Sequence, residues 1–245
     1  MFGDDMDIRF AWRSLLNPLE IKKLSKNMLS VYQLIPSFRY FQLIGSYFDD
    51  RIQGALLNYA ETKQFIQNWG LNNAHLDNAE QFHGSALDQI VPTRTRFYFI
   101  SGCKQPTIGK IIRRNMRSGE EEYQIQMTDG DGTVPLGSSD IGGVPSTQRL
   151  YVKNVKHSDM PSAPGVRPII ISLLNGSIDY TNLPSNITQN ISNCGIRRGR
   201  IVSVHSPVDL NVYDSLGNHV GPGANNTIDL GIDGAAYEDI GNNKF

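Results

Sequence analysis

The sequence reads as an α/β domain followed by a small, incomplete all-β module. Three observations carry this. Up to about residue 90, apolar residues recur at helical spacing. From residue 96 on, short aromatic and β-branched runs alternate with turns and lead into one apolar segment at 166–174. Past a stretch poor in apolar residues, the pattern switches to period two. The 245 residues leave room for one sizeable core and a second, smaller one, at roughly 100–200 residues per domain. The expected organisation is an α/β domain over 1–178, a linker over 179–194 and the β module over 195–245.

In chain order, Leu19, Leu24, Met28 and Val31 recur through residues 17–33 with Glu20, Lys22, Lys23 and Lys26 between them. This spacing predicts one amphipathic helix or two short ones, ended by Pro36. Leu56, Tyr59, Phe65, Ile66 and Trp69 mark a second helical stretch, and Leu76, Phe82 and Leu87 a third. The near-continuous run 96–102 then predicts a buried strand. Segments 108–112 and 123–127 flank a charged stretch from Arg113 to Glu122 that suits a solvated hairpin tip. Residues 150–155 alternate as a strand, with 166–174 packed behind as a helix or strand. Asn, Ser, Thr and Pro dominate 179–193, which suits a linker. Segments 200–204, 209–213 and 227–230 alternate in period two. This module of about fifty residues is close to the lower limit for an independent core.

Composition excludes several functions. With 23 basic against 24 acidic residues and a net charge of -1, the chain has no excess charge to draw it onto nucleic acid. No apolar run approaches the roughly 18–20 residues of a membrane span, and the acidic start Met1-Phe2-Gly3-Asp4-Asp5 is no secretory signal. Cys103 and Cys194 are far apart, show no CxxC or Cys/His clustering for a metal site, and make no disulfide framework.

The most informative stretch is Thr128-Asp129-Gly130-Asp131-Gly132-Thr133-Val134-Pro135, directly after a predicted strand. Downstream, His157 follows the next strand and precedes 166–174. Strand, Asp, strand, His, helix is the order of the last half of an α/β-hydrolase. There the carboxylate fixes the histidine tautomer and stabilises the imidazolium formed when the ring takes a proton from a serine. Asp131 and His157 would be that pair, with Gly130 and Gly132 allowing the tight turn. A plain Asp-Gly turn beside a surface histidine is the other reading of the same residues. A calcium loop of the EF-hand kind fits poorly, because Val134 stands where glycine is required.

Gly130-Asp131-Gly132-Thr133-Val134-Pro135-Leu136, followed by Val155-Lys156-His157-Ser158-Asp159-Met160-Pro161, resembles the catalytic Asp and His blocks of the lecithin:cholesterol acyltransferase-like α/β-hydrolases. Upstream, Leu24-Ser25-Lys26-Asn27-Met28-Leu29-Ser30-Val31-Tyr32-Gln33-Leu34-Ile35-Pro36-Ser37 resembles that family's lid helix. Gln81-Phe82-His83 and Gly102 with Pro106-Thr107-Ile108 fall in the family's order. The resemblance spans roughly residues 3–176. It implies the C-terminal half of an α/β-hydrolase with a helical lid, acting through an acyl-serine on lipid-like esters without metal or organic cofactor. It also implies Val31, Tyr32 and Leu34 as substrate-binding residues, and a secreted or envelope location.

The departure from the family is equally plain. No Gly-x-Ser-x-Gly elbow and no HGGG-type loop occurs in the sequence, so the nucleophile and oxyanion donors are missing. The expectation is a C-terminal part of a longer enzyme, with the missing half on a separate chain as a candidate partner and one sheet edge left unpaired. Ser46, Ser101 and Ser138 adjoin glycines but sit in no elbow. Plain packing is the expected role of His83 and of Tyr32, Tyr40, Phe41, Tyr47 and Phe48, an acyl-chain groove being the alternative for the aromatic residues. His205 and His219 carry no partner pattern. Asp209-Leu210-Asn211-Val212-Tyr213-Asp214-Ser215-Leu216-Gly217-Asn218-His219 resembles small β-sandwich modules of secreted or envelope bacterial proteins. This keeps open a non-catalytic binding or adhesion protein with a degenerate hydrolase domain. Asn175, Asn186, Asn190 and Asn225 head Asn-x-Ser/Thr sites, meaningful only in a eukaryotic secretory setting.

Overall fold

The computed structural model describes residues 24–88, 95–119, 121–139, 144–195, 202–205, 208–223, 227–232, 235, 237, 239–240 and 243–244. Helices and sheets are mixed along the chain, in keeping with an α/β class. Residues 17–23 of the first expected helix and 200–201 of a later strand lie outside the described residues.

Helices α1 (Leu29–Gln33), α2 (Phe38–Ile44), α3 (Tyr59–Asn68) and α4 (Asn73–Phe82) precede residue 90, and α4 runs on into a π turn at His83–Leu87. Asn58 and Glu61 begin α3 with a reciprocal capping box, and Asn72 caps α4 through the amide of His75. Tyr32, Leu76 and Ala79 form the buried centre of this helical part. The Tyr32 hydroxyl donates to the Lys26 carbonyl and accepts from the Asn72 amide, so one side chain ties the entry of α1 to that of α4.

Two strands interrupt the region expected to be helical and loops. β1 (Phe48–Asp50) pairs antiparallel with β2 (Ala55–Leu57), which takes Leu56 out of the expected second helix. Three-residue strands are too short to show a period of two. β1 also pairs in parallel with β4 (Gln105–Asn115), which forms a long hairpin with β5 (Glu121–Gly130), giving the sheet order β2-β1-β4-β5. The charged stretch from Arg113 to Glu122 is only partly a solvated tip. Arg113 reaches the fully buried Asp50 on β1 at 3.0 Å and also pairs with Glu121, while Glu122 is buried against Arg114. Burial of a carboxylate requires such a partner.

The second sheet holds the main core. β3 (Phe99–Cys103) pairs in parallel with β6 (Arg149–Lys153), and β6 pairs antiparallel with β7 (Ile187–Thr188). Helix α5 (Val166–Leu174) lays Val166 and Ile169 against Leu150, Val152 and Ile187. Full burial of each such side chain is worth about 1.5–3 kcal/mol. Among the described residues no strand pairs with the other edge of β3, and α5 leaves Ile170, Ile171 and Leu174 exposed. Residues 179–194 do more than link. They supply β7, a buried Ile187 in the core, and Cys194, which is disulfide-bonded to Cys103. Their polar composition hid this, because one short edge strand needs only one or two inward side chains.

Beyond residue 195 come β8 (Val204–His205), β9 (Val212–Tyr213), β10 (His219–Pro222), β11 (Ile228–Leu230), β12 (Asp239–Ile240) and β13 (Asn243–Lys244). They form two three-stranded sheets, β11-β10-β9 and β12-β13-β8, around Leu210, Val220 and Tyr237.

Candidate active site

Asp131 is the first residue after β5, and its loop is drawn tight by its own side chain. Its Oδ1 accepts from the amides of Thr133 at 3.0 Å and Val134 at 2.7 Å, and its amide donates to the Val134 carbonyl. Gly132 turns the chain with φ +91, and its amide donates to Oγ1 of the buried Thr107 at 2.9 Å. Gly130 is required for a different reason. A Cβ there would lie 2.4 Å from both Thr107 Oγ1 and the Val134 carbonyl oxygen.

His157 arrives from β6. That strand ends at Lys153, Asn154 takes φ +58, and a 3-10 turn spans His157–Ser162. The His157 amide donates to the Asp131 carbonyl at 2.9 Å. Its Nδ1 lies 2.8 Å from Asp131 Oδ2. Since a carboxylate in this setting accepts, Nδ1 carries the hydrogen, which in the neutral ring leaves the lone pair on Nε2. Asp131 is 4% exposed, whereas the His157 side chain is 53% exposed. A buried acceptor therefore orients an imidazole whose other nitrogen is open. Among the described residues, Nε2 has no hydrogen-bond partner.

Strand β3 fits beneath this pair because Gly102 has no side chain. A Cβ at that position would meet Asp131 Cβ at 2.4 Å and Met160 Cε at 2.8 Å. Lys104 and Asn154, which directly follow the parallel strands β3 and β6, are the two non-glycine residues with positive φ among those described. Each left-handed residue costs about 1–2 kcal/mol, and strain of this kind concentrates at functional sites.

The remaining expected residues are distributed elsewhere. Tyr32 is buried with its hydroxyl satisfied on both sides, Val31 packs on the same helical cluster, and Leu34 is 64% exposed. Tyr32 thus helps to tie the helical core together through its two hydrogen bonds to backbone groups. Tyr40, Tyr47 and Phe48 are buried as packing groups, and Phe41 packs edge-to-face on Tyr59. A shallow cleft lies among α1–α4, lined by Tyr32, Phe41, Tyr59, Thr62 and His83. His83 donates through Nε2 to the Gln33 carbonyl at 2.8 Å, a structural tie. The hydroxyls of Ser46 and Ser138 donate to the carbonyls of Phe48 and Pro135.

Sequence reasoning missed three features. His219 does have partners: Asp229 Oδ2 at 3.0 Å from Nδ1 and Asn211 Oδ1 at 2.8 Å from Nε2, with Tyr213 stacked on the ring. Cross-strand pairing brings them together, which linear spacing does not reveal. Cys103 and Cys194 are bonded to each other. Asp129, passed over in favour of Asp131, accepts from the amides of Lys104 at 2.6 Å and Gly195 at 2.9 Å. Its carboxylate and the two sulfurs lie within 4.8 Å of one another, but the sulfurs are committed to each other.

The sequence matches no protein-family model and no curated protein.

Proposed function

We propose that this chain supplies the acid–base half of a serine acyl hydrolase or acyltransferase acting on lipid-like esters. One observation carries the reading: the 2.8 Å contact between buried Asp131 and the exposed ring of His157, at the ends of two successive strands. In this role His157 Nε2 takes the proton of a serine hydroxyl as that oxygen attacks the ester carbonyl. It then returns the proton to the leaving alkoxide. Asp131 keeps Nδ1 protonated and steadies the imidazolium between the two transfers; it stays ionised throughout. Water or an alcohol then resolves the acyl-serine by the same relay.

The serine and the oxyanion donors come, in this reading, from another segment or chain. The edge of β3 that no described strand pairs with offers backbone groups for it, and the exposed Ile170, Ile171 and Leu174 of α5 offer apolar surface. No helix among the described residues is long and apolar enough to cross a membrane. Without a nucleophile the chain alone is expected not to turn over esters. The test is hydrolysis of a short-chain chromogenic ester by the chain alone, and with a polypeptide carrying the Gly-x-Ser-x-Gly half, each beside His157→Ala. Activity that needs both chains and vanishes in His157→Ala supports the proposal. Silence in every mixture refutes it in favour of a binding protein. Turnover by the chain alone that disappears in His157→Ala refutes the missing nucleophile.

A further inference from the structure

Asp129 stands two residues before Asp131 and takes no part in the hydrogen bond to His157, yet both of its oxygens are in use. Oδ1 accepts from the Lys104 amide and Oδ2 from the Gly195 amide. Those donors immediately follow Cys103 and Cys194, which are bonded to each other. Bridge and carboxylate make a double clasp: one covalent link, then one acceptor shared by the next residue on each side.

What the clasp grips leads to the candidate pair from two directions. Gly102, just before Cys103, lies against Asp131 Cβ. The Cys103 carbonyl accepts at 2.9 Å from the amide of Asn154, the left-handed residue on the path from β6 to His157. Lys104 itself sits at φ +68, a conformation its amide bond to Asp129 helps to hold.

We propose that Asp129 is a positioning residue which, with the Cys103–Cys194 bridge, sets the geometry of the Asp131–His157 pair, so that reducing the bridge loosens the pair. The inference deepens the acid–base reading and rests on it for its functional meaning. Opening the clasp is ordinary thiol–disulfide exchange. A reductant thiolate attacks Sγ of Cys194, which is partly exposed, while Cys103 is fully buried. The S–S bond breaks and Cys103 leaves as a thiolate that takes up a proton. The reductant's second thiol then resolves the mixed disulfide, leaving two protein thiols and one oxidised reductant. The clasp is closed in an oxidising compartment and open to attack in a thiol-rich one.

The tautomer of His157, read by long-range ¹H–¹⁵N correlation on the full labelled chain, reports the pair without any need for activity. The oxidised protein is expected to hold Nδ1–H, and Asp131→Ala to lose it. Dithiothreitol, Cys194→Ser and Asp129→Asn are each expected to lower the Nδ1–H population at least two-fold at constant pH. Amide signals of α3 and α4 should remain unmoved. If the population is unchanged in all three while mass spectrometry shows the bridge opened by dithiothreitol, Asp129 and the bridge are merely structural and the proposal falls. If the oxidised chain lacks Nδ1–H, or Asp131→Ala leaves it unchanged, the pair itself fails and takes the inference with it. Should Cys194→Ser unfold, Asp129→Asn, which keeps the volume and one acceptor, and reduction of the folded chain decide.

Discussion

Replacing Gly102 by alanine tests whether the Asp131 loop depends on direct contact with strand β3. The added Cβ would lie 2.4 Å from Asp131 Cβ and 3.5 Å from its Cα, against an ordinary carbon–carbon separation of about 3.5–4.0 Å. The nearby Met160 methyl can swing away. Asp131 cannot, because its side chain holds three hydrogen bonds and its backbone two. The loop must therefore move by about 1 Å, an overpacking cost of roughly 1–3 kcal/mol. Loss of the charged hydrogen bond to His157 would add about 1.5–3 kcal/mol. We expect Gly102→Ala to lose about 3 kcal/mol in urea unfolding followed by circular dichroism, and to lose the His157 Nδ1–H signal. Gly84→Ala is the control, since a Cβ there meets nothing within 4 Å and its φ is not positive. That change should be neutral or stabilise by up to about 1 kcal/mol. The reasoning is refuted if Gly102→Ala unfolds within about 0.5 kcal/mol of the native chain and keeps the Nδ1–H tautomer.

Leu150 is 1% exposed at the centre of the β3-β6-β7 core, so Leu150→Ala should cost about 2–5 kcal/mol; a shift in urea midpoint worth less than about 1 kcal/mol would mean that the cluster is not a core. At the start of α3, Asn58→Ala removes the cap on the Glu61 amide and should cost about 0.5–2 kcal/mol, read as a lower melting temperature; an unchanged melting temperature would show that the capping box adds nothing. Burial, reinforced by the neighbouring Tyr40, pushes the Tyr47 phenol up to about 12 from 10.0. The folded state thus favours the neutral form, and this stability is whole below pH 10 and drains away between pH 10 and about 12, by on the order of 2–3 kcal/mol. Urea unfolding at stepped alkaline pH should show that slope, and Tyr47→Phe should flatten it; an equal slope in both would assign it to other groups.

Asp131 and His157 were legible as candidates because one lies directly beyond a strand and the other a few residues beyond the next, and because Gly130 and Gly132 mark a turn. The apolar segment 166–174 was legible as a core element, since its apolar residues are numerous, but only the structure decides that it is a helix. Legibility failed where a structural unit is too short to have a period, as in β1, β2 and β7, or where its partner is distant in the chain. Arg113 reads as one more charge on a hairpin until β1 is laid beside it in parallel and brings Asp50 to 3.0 Å. The sequence likewise does not show that the Tyr32 hydroxyl ties α1 to α4, because the Asn72 amide that it accepts from lies 40 residues on.

What the sequence determined by itself was therefore local: which stretches have a hydrophobic period, which glycines permit a tight loop, and which aspartate and histidine that loop and the next turn present. Tertiary structure decided what those groups meet. The union of Cys103 with Cys194, the engagement of Asp129 by Lys104 and Gly195, and the seating of Asp131 on Gly102 each join residues with no fixed spacing in the chain. Pairings of that kind depend on how parallel strands and an inserted hairpin stack in space, and backbone periodicity carries no record of it.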